Sequence, residues 1–199
     1  MSKLYQIPEI YTLSVKRILL SWLQQFFAGR ADFPFVVGDD MATGIRIHDK
    51  HAFNLKSVSD IPTIALDRKP LRWMRTSIDQ NLGDFRLRAA QAKMDLLSGA
   101  VVFHCLAKEG LVAEQVAHTV FFGLSAFDLE IRKMGMWDLK IAGIGEESIL
   151  EVAAGHELVS VPVTCTVYYQ GKWVRRRISS TPANDIKVEV MLGEEGREG

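Results

Sequence analysis

The chain has 199 residues, 48% of them hydrophobic and 24% charged, a composition that supports one substantial core and sets the chain apart from disordered sequences. Its 24 basic and 24 acidic residues cancel, which excludes a global pull toward nucleic acid or an anionic membrane and leaves only a local basic patch for such partners. Cys105 and Cys165 lack CxxC or Cys/His spacing, so they read as two buried small hydrophobes in a reducing compartment and not as zinc ligands.

Taken in order, the first residues do not read as a signal peptide, because the first long apolar run is amphipathic and carries Lys16 and Arg17. No stretch reaches the ~20 apolar residues of a membrane span, so folding in a cytoplasm is expected. Pro8 and Glu9 suit the first turn of a helix, and Gly29 suits its stop. The apolar positions between them, including Leu13, Val15, Leu19, Trp22, Leu23, Phe26 and Phe27, cover more than one stripe. A sheet on one side and a further surface, such as a neighbouring subunit, on the other would cover such a helix.

Residues 30–60 read as a long connection, with a short strand at Phe33, Pro34, Phe35, Val36 and Val37 broken by Gly38 and Gly44. Residues 61–67 read as a strand with Pro62 at its beginning or on an edge. The segment 71–97 reads as an excursion carrying a β-ribbon or a short helix, and its aromatic and apolar content predicts an ordered contact surface.

The central unit is a strand over 100–106, bounded by Ser98-Gly99 and by Lys108-Glu109-Gly110, followed directly by a helix. In that helix Val112, Val116, Val120 and Leu124 recur in steps of four beside Ala113 and Ala117, with Glu114, Gln115 and His118 turned outward. Strands follow over 136–142, ended by Gly143-Ile144-Gly145, and over 157–169, with Val159, Val161, Val163, Cys165 and Val167 on one face. A turn at Gln170-Gly171-Lys172 leads to a strand over 173–178, and 185–191 is a last candidate strand. The fold class is α+β: a mostly antiparallel or mixed sheet with two main helices on one face, in a single domain over 1–192 with an excursion at about 68–97. Residues 193–199 lack an apolar anchor and are expected to be mobile.

Chemistry is sparse. His48 and His51 have a spacing that fits one helical turn but sit in loop-like sequence, and Gly143-Ile144-Gly145 lacks the lysine of a phosphate loop. Glu146 and Glu147 read as a solvated acidic pair, and His104 and His118 as polar surface or interface residues. No catalytic, cofactor or metal residue is assigned, and no enzymatic activity is expected. The basic cluster Lys172, Arg175, Arg176 and Arg177 around Trp173 fits either phosphates with a stacking aromatic or an edge strand guarded by arginines. A looser basic set comprises Arg68, Lys69, Arg72, Arg75, Arg86 and Arg88. Candidate contact residues are Trp73, Phe85, Arg86, Arg88, Trp173, Arg175, Arg176 and Arg177.

The run Leu97-Ser98-Gly99-Ala100-Val101-Val102-Phe103-His104-Cys105-Leu106-Ala107-Lys108-Glu109-Gly110, followed by Ala113-Glu114-Gln115-Val116-Ala117, resembles the tail-terminator, or tail-completion and neck, proteins of long-tailed bacteriophages. The order of elements over 8–173 carries the resemblance further, while 71–97 and the residues beyond 178 depart from it. The resemblance implies a virion protein assembled in the host cytoplasm as a homo-oligomeric ring, of six copies. Its partners would be the tail tube protein and the head–tail connector or stopper, with DNA passing through the lumen and no membrane or cofactor involved. The alternative is a small α/β nucleic-acid-binding module using the basic strand around Trp173.

Overall fold

The computed structural model describes residues 11–39, 42–50, 61–74, 81–85, 90–152, 156–177 and 186–189. They form an α+β fold. Helix α1 (Tyr11–Ala28) leads to β1 (Arg46–Asp49), β2 (Thr63–Arg68), β3 (Arg72–Met74), β4 (Asn81–Phe85) and β5 (Ala90–Ala107). Then come α2 (Gly110–Ala126), α3 (Asp128–Lys133), β6 (Asp138–Ile144), β7 (Ser148–Val152), β8 (His156–Arg177) and β9 (Ile186–Glu189). The sheet runs β1-β2-β5-β8-β6, with β3 and β4 added along β5 and β7 and β9 along β8. Among the described strand pairs only β1–β2 is parallel.

One face of this sheet is the core. Ile64 lies opposite Cys105 and Cys105 opposite Val161; Leu66, Phe103 and Val163 form the next row, and Val101 and Cys165 the one after. All eight are buried. Because side chains alternate along a strand, these rows send one face of every strand toward the helices. Helix α1 supplies Val15, Leu19, Trp22, Leu23 and Phe27 to this layer, and α2 supplies Ala113, Val116, Ala117, Val120 and Leu124. Their spacing of three and four is the stripe expected of a helix on a sheet. Leu111, at 68% exposure, and Leu13, at 54%, fall off that stripe.

The central strand does not begin at Ser98-Gly99. Strand β5 passes through both residues and pairs with β8 without interruption from Ala90 to Ala107. Gly99 is there because the chain at Pro70 and Leu71 crosses it closely: a Cβ would meet Leu71 Cδ2 at 2.7 Å and the Pro70 carbonyl oxygen at 2.9 Å. Likewise Gln170-Gly171-Lys172 is not a turn, since all three residues pair in register with β5 inside the 22-residue β8. In both places the ladder continues through a glycine whose local sequence resembles a turn.

Strand β6 also continues past its expected end, through Gly143, where a bulge and a φ of +149° shift its register on β8. No strand forms at 33–37. Phe35 N–H donates to the Phe27 carbonyl and the Pro34 carbonyl accepts from Gly44 N–H, so this stretch closes a loop onto the end of α1. Strand β1, the short α3 and the edge strand β7 had no periodic signal and were not expected. The excursion resolves into strands: β3, β4 and the first half of β5. The start of the first helix before Tyr11, the ends of the last strand and residues 193–199 lie outside the described residues.

Candidate functional site

The structure brings several expected contact residues into one arm. Beyond the Leu97–Tyr169 pair, β5 and β8 continue side by side, with β4 along the outer edge of β5 and β9 along that of β8. Phe85 and Arg176 both face Ala90 in this register, Arg175 lies between Gln91 and Val188, and Trp173 is opposite Lys93. Arg177 pairs with Ile186. Over 174–176 the basic segment is therefore an inner strand flanked on both sides, not the edge strand considered from sequence. Trp73 sits apart, opposite Leu97 in β3 and 60% exposed. Arg86 and Arg88 lie outside the described residues.

A polar cluster that the sequence did not reveal lies on the sheet face away from the helices. Asp67 ends β2 and is nearly buried, and its Oδ2 accepts from Lys50 Nζ at 2.8 Å and from Lys69 Nζ at 2.8 Å. Burial alone would raise the Asp67 pKa. The two lysine hydrogen bonds and charges outweigh it and hold the carboxyl far below the usual range. His104 Nε2 lies 3.9 Å from the same oxygen, too far for a hydrogen bond, and is enclosed without another partner. Burial first, then the Lys50 charge, lowers the His104 pKa against the pull of Asp67.

This arrangement ties Lys50, just after β1, and Lys69, just after β2, to the Asp67 carboxylate at the end of β2, beside His104 on β5. A carboxylate held ionised by two ammonium groups is a weak proton acceptor, so the cluster acts as an electrostatic clamp. Lys50 and Asp67 come together only through the parallel β1–β2 pairing, which no local pattern announces. His104, a polar surface or interface residue by its sequence, is partly buried beside the clamp. His48 is exposed on β1, and its neighbour His51 is outside the described residues. Among the described residues no group of three or more His, Cys, Asp or Glu side chains converges as metal ligands. No described helix is long and apolar enough to cross a membrane.

The second feature is an aromatic cleft between the end of α1 and the last turns of α2. Phe26 stacks on Trp22 at 5.4 Å between centroids and meets Phe127 edge-on at 5.6 Å. The Arg30 guanidinium lies 5.6 Å from the Phe26 ring centre, a cation–π distance. His118 and Phe122 stack at 6.2 Å on the outer face of α2. Phe26, Arg30, His118, Phe122, Gly123 and Phe127 line an open cavity of about 350 Å³. Phe122 is 63% exposed and Arg30 Nε is enclosed without a hydrogen-bond partner, so the cleft presents an apolar wall beside an unsatisfied donor. The sequence signal for it was the apolar surplus on the first helix.

No protein-family model matches this sequence, and no curated protein matches it.

Proposed function

We propose that this chain is a structural ring subunit of the tail-terminator kind, closing the end of a phage tail tube and joining it to the head–tail connector. The observation that carries the reading is the length of the β5–β8 pair. At ~3.3 Å per residue, strands of 18 and 22 residues span roughly 60 and 70 Å. A compact domain of 199 residues has a radius of gyration of about 16 Å, or about 40 Å across as a sphere. The pair therefore extends beyond one compact body, as a four-stranded arm that suits contact with a neighbour.

The mechanism is interfacial. Helices α1 and α2, at ~25 Å each, pack over the half of the sheet that holds the core, and the arm reaches outward from it. A ring requires two different surfaces per subunit that fit one another, because head-to-tail contacts close only when they are heterologous. The arm and the helix layer offer such surfaces at different places on the subunit. In a ring, the basic positions Arg175, Arg176 and Arg177 on the arm serve neighbouring subunits or the DNA in the lumen.

Mass measurement of the purified protein, alone and with tail tubes, tests the reading. A symmetric oligomer, or a ring formed at tube ends, is the expected result. A chain that stays monomeric and leaves tubes uncapped overturns it. Salt-sensitive binding to a DNA oligonucleotide that is lost in Arg175→Ala and Arg177→Ala, without any oligomer, would instead favour the nucleic-acid-binding alternative.

A further inference from the structure

The aromatic cleft and an exposed acidic turn lie at opposite ends of the same helix. At the start of α2, Gly110 is packed against the turn between β6 and β7, where an added Cβ would come 2.9 Å from Glu147 Oε1. Near its other end, Gly123 forms part of the cleft floor. The thirteen helical steps between them place the two features roughly 20 Å apart, on one side of the sheet.

The turn is acidic and apolar at once. Glu146 and Glu147 are exposed, and next to them Ile149 is 64% exposed on β7. The cleft has the complementary character: Phe26, Phe122 and Phe127 line it with Arg30 and His118, and no carboxylate belongs to its wall among the described residues. Asp32 meets Arg30 at 3.3 Å from outside but is itself 70% exposed, a pairing weak enough to exchange for another carboxylate.

We propose that the cleft of one copy receives the Glu146, Glu147 and Ile149 turn of a second copy. Ile149 covers Phe122, and the acidic turn meets the solvent-facing amino edge of the Arg30 guanidinium in place of Asp32. Because knob and cleft occupy opposite ends of α2, the contact is head-to-tail, and each copy can give and receive at once. The proposal rests on the ring reading and names two of the surfaces such a ring would use.

Charge exchange tests it. The full-length chain is measured by sedimentation at several concentrations, with and without tail tubes. Arg30→Glu alone should weaken self-association at least tenfold, and so should the double variant Glu146→Arg with Glu147→Arg. An equimolar mixture of the two variants should restore assembly, because each altered knob then faces an opposite charge in the other copy's cleft. Under oxidising conditions, Phe122→Cys combined with Ile149→Cys should give a ladder of disulfide-linked copies. Circular dichroism confirms that each variant is folded, and rescue in the mixture independently excludes misfolding. If both charge variants assemble as the unaltered chain does, or the mixture stays apart, these surfaces are wrong and the ring reading stands. If the unaltered chain is monomeric under all conditions, both fail together.

Discussion

Gly123 on α2 faces the ring of Phe26 on α1 so closely that a Cβ at position 123 would lie 2.8 Å from Phe26 Cζ. The glycine exists for this approach and not for backbone freedom, since it sits within a regular helix. The ring has little room to retreat, being stacked on Trp22 and edge-on to Phe27 and Phe127. Gly123→Val should therefore destabilise the fold by about 1–3 kcal/mol through overpacking. In a Phe26→Leu background, Gly123→Ala should be stabilising by up to about 1 kcal/mol, because helix propensity then acts without the clash. Urea unfolding of the unaltered chain, Phe26→Leu, Gly123→Ala and the double variant measures the coupling, and strict additivity would contradict the contact.

Phe103 is fully buried in the C-terminal half of β5, between Leu66 and Val163 and in the core layer that α2 covers. Truncation there removes a ring and leaves a cavity that three elements must share. Phe103→Ala should cost about 3–5 kcal/mol, against a change within about 0.5 kcal/mol for a surface position such as Lys133→Ala. Thermal melting of the two variants distinguishes the buried position from the exposed one.

Both cysteines are buried, and burial pushes the Cys105 thiol well above its usual range and Cys165 up to about 12. They share a face on neighbouring strands, but Cys105 pairs with Val161 and Cys165 with Val101, four rungs apart. At ~3.3 Å per rung that is about 13 Å, well beyond the ~7 Å limit for a disulfide. The native protein should react with neither thiol reagent nor mild oxidant, and both thiols should titrate once the chain is unfolded in urea. Fast labelling of the native state would show that the core opens there.

The core was legible wherever periodicity ran without a break. Val159, Val161, Val163, Cys165 and Val167 announced a strand, and Val116, Val120 and Leu124 with Ala113 and Ala117 announced the helix above it, because a buried face imposes its period on the residues that fill it. Glycine misled. Gly99 and Gly171 both lie within continuous ladders, and at Gly99 the space is taken by the Leu71 side chain, a long-range fact invisible to local reading. The clamp at Asp67 escaped for the same reason, since Lys50 reaches it from seventeen residues away. The position of Arg176 as an inner strand residue follows only from the register of β9 beside β8.

The clamp also sets how the protein responds to acid. Asp67 has its folded pKa depressed below its ordinary value of 3.8, so the folded state favours the ionised form and gains stability that is complete well above pH 3.8. That stability is lost progressively as the pH falls below 3.8 toward the folded value. His104 is depressed from 6.5, so the unfolded chain takes up its proton first as the pH falls, and stability drops below pH 6.5 for this group as well. The two effects have the same sign and separate windows. Urea midpoints should decline in two stages on acidification. Asp67→Asn should remove the lower stage and cost about 1–3 kcal/mol at neutral pH, since both lysines lose a charged hydrogen-bond partner. His104→Gln should remove the upper stage and leave the lower one intact. A midpoint that rises on acidification, or that keeps its lower stage in Asp67→Asn, would show that the carboxylate is not held by Lys50 and Lys69 in solution.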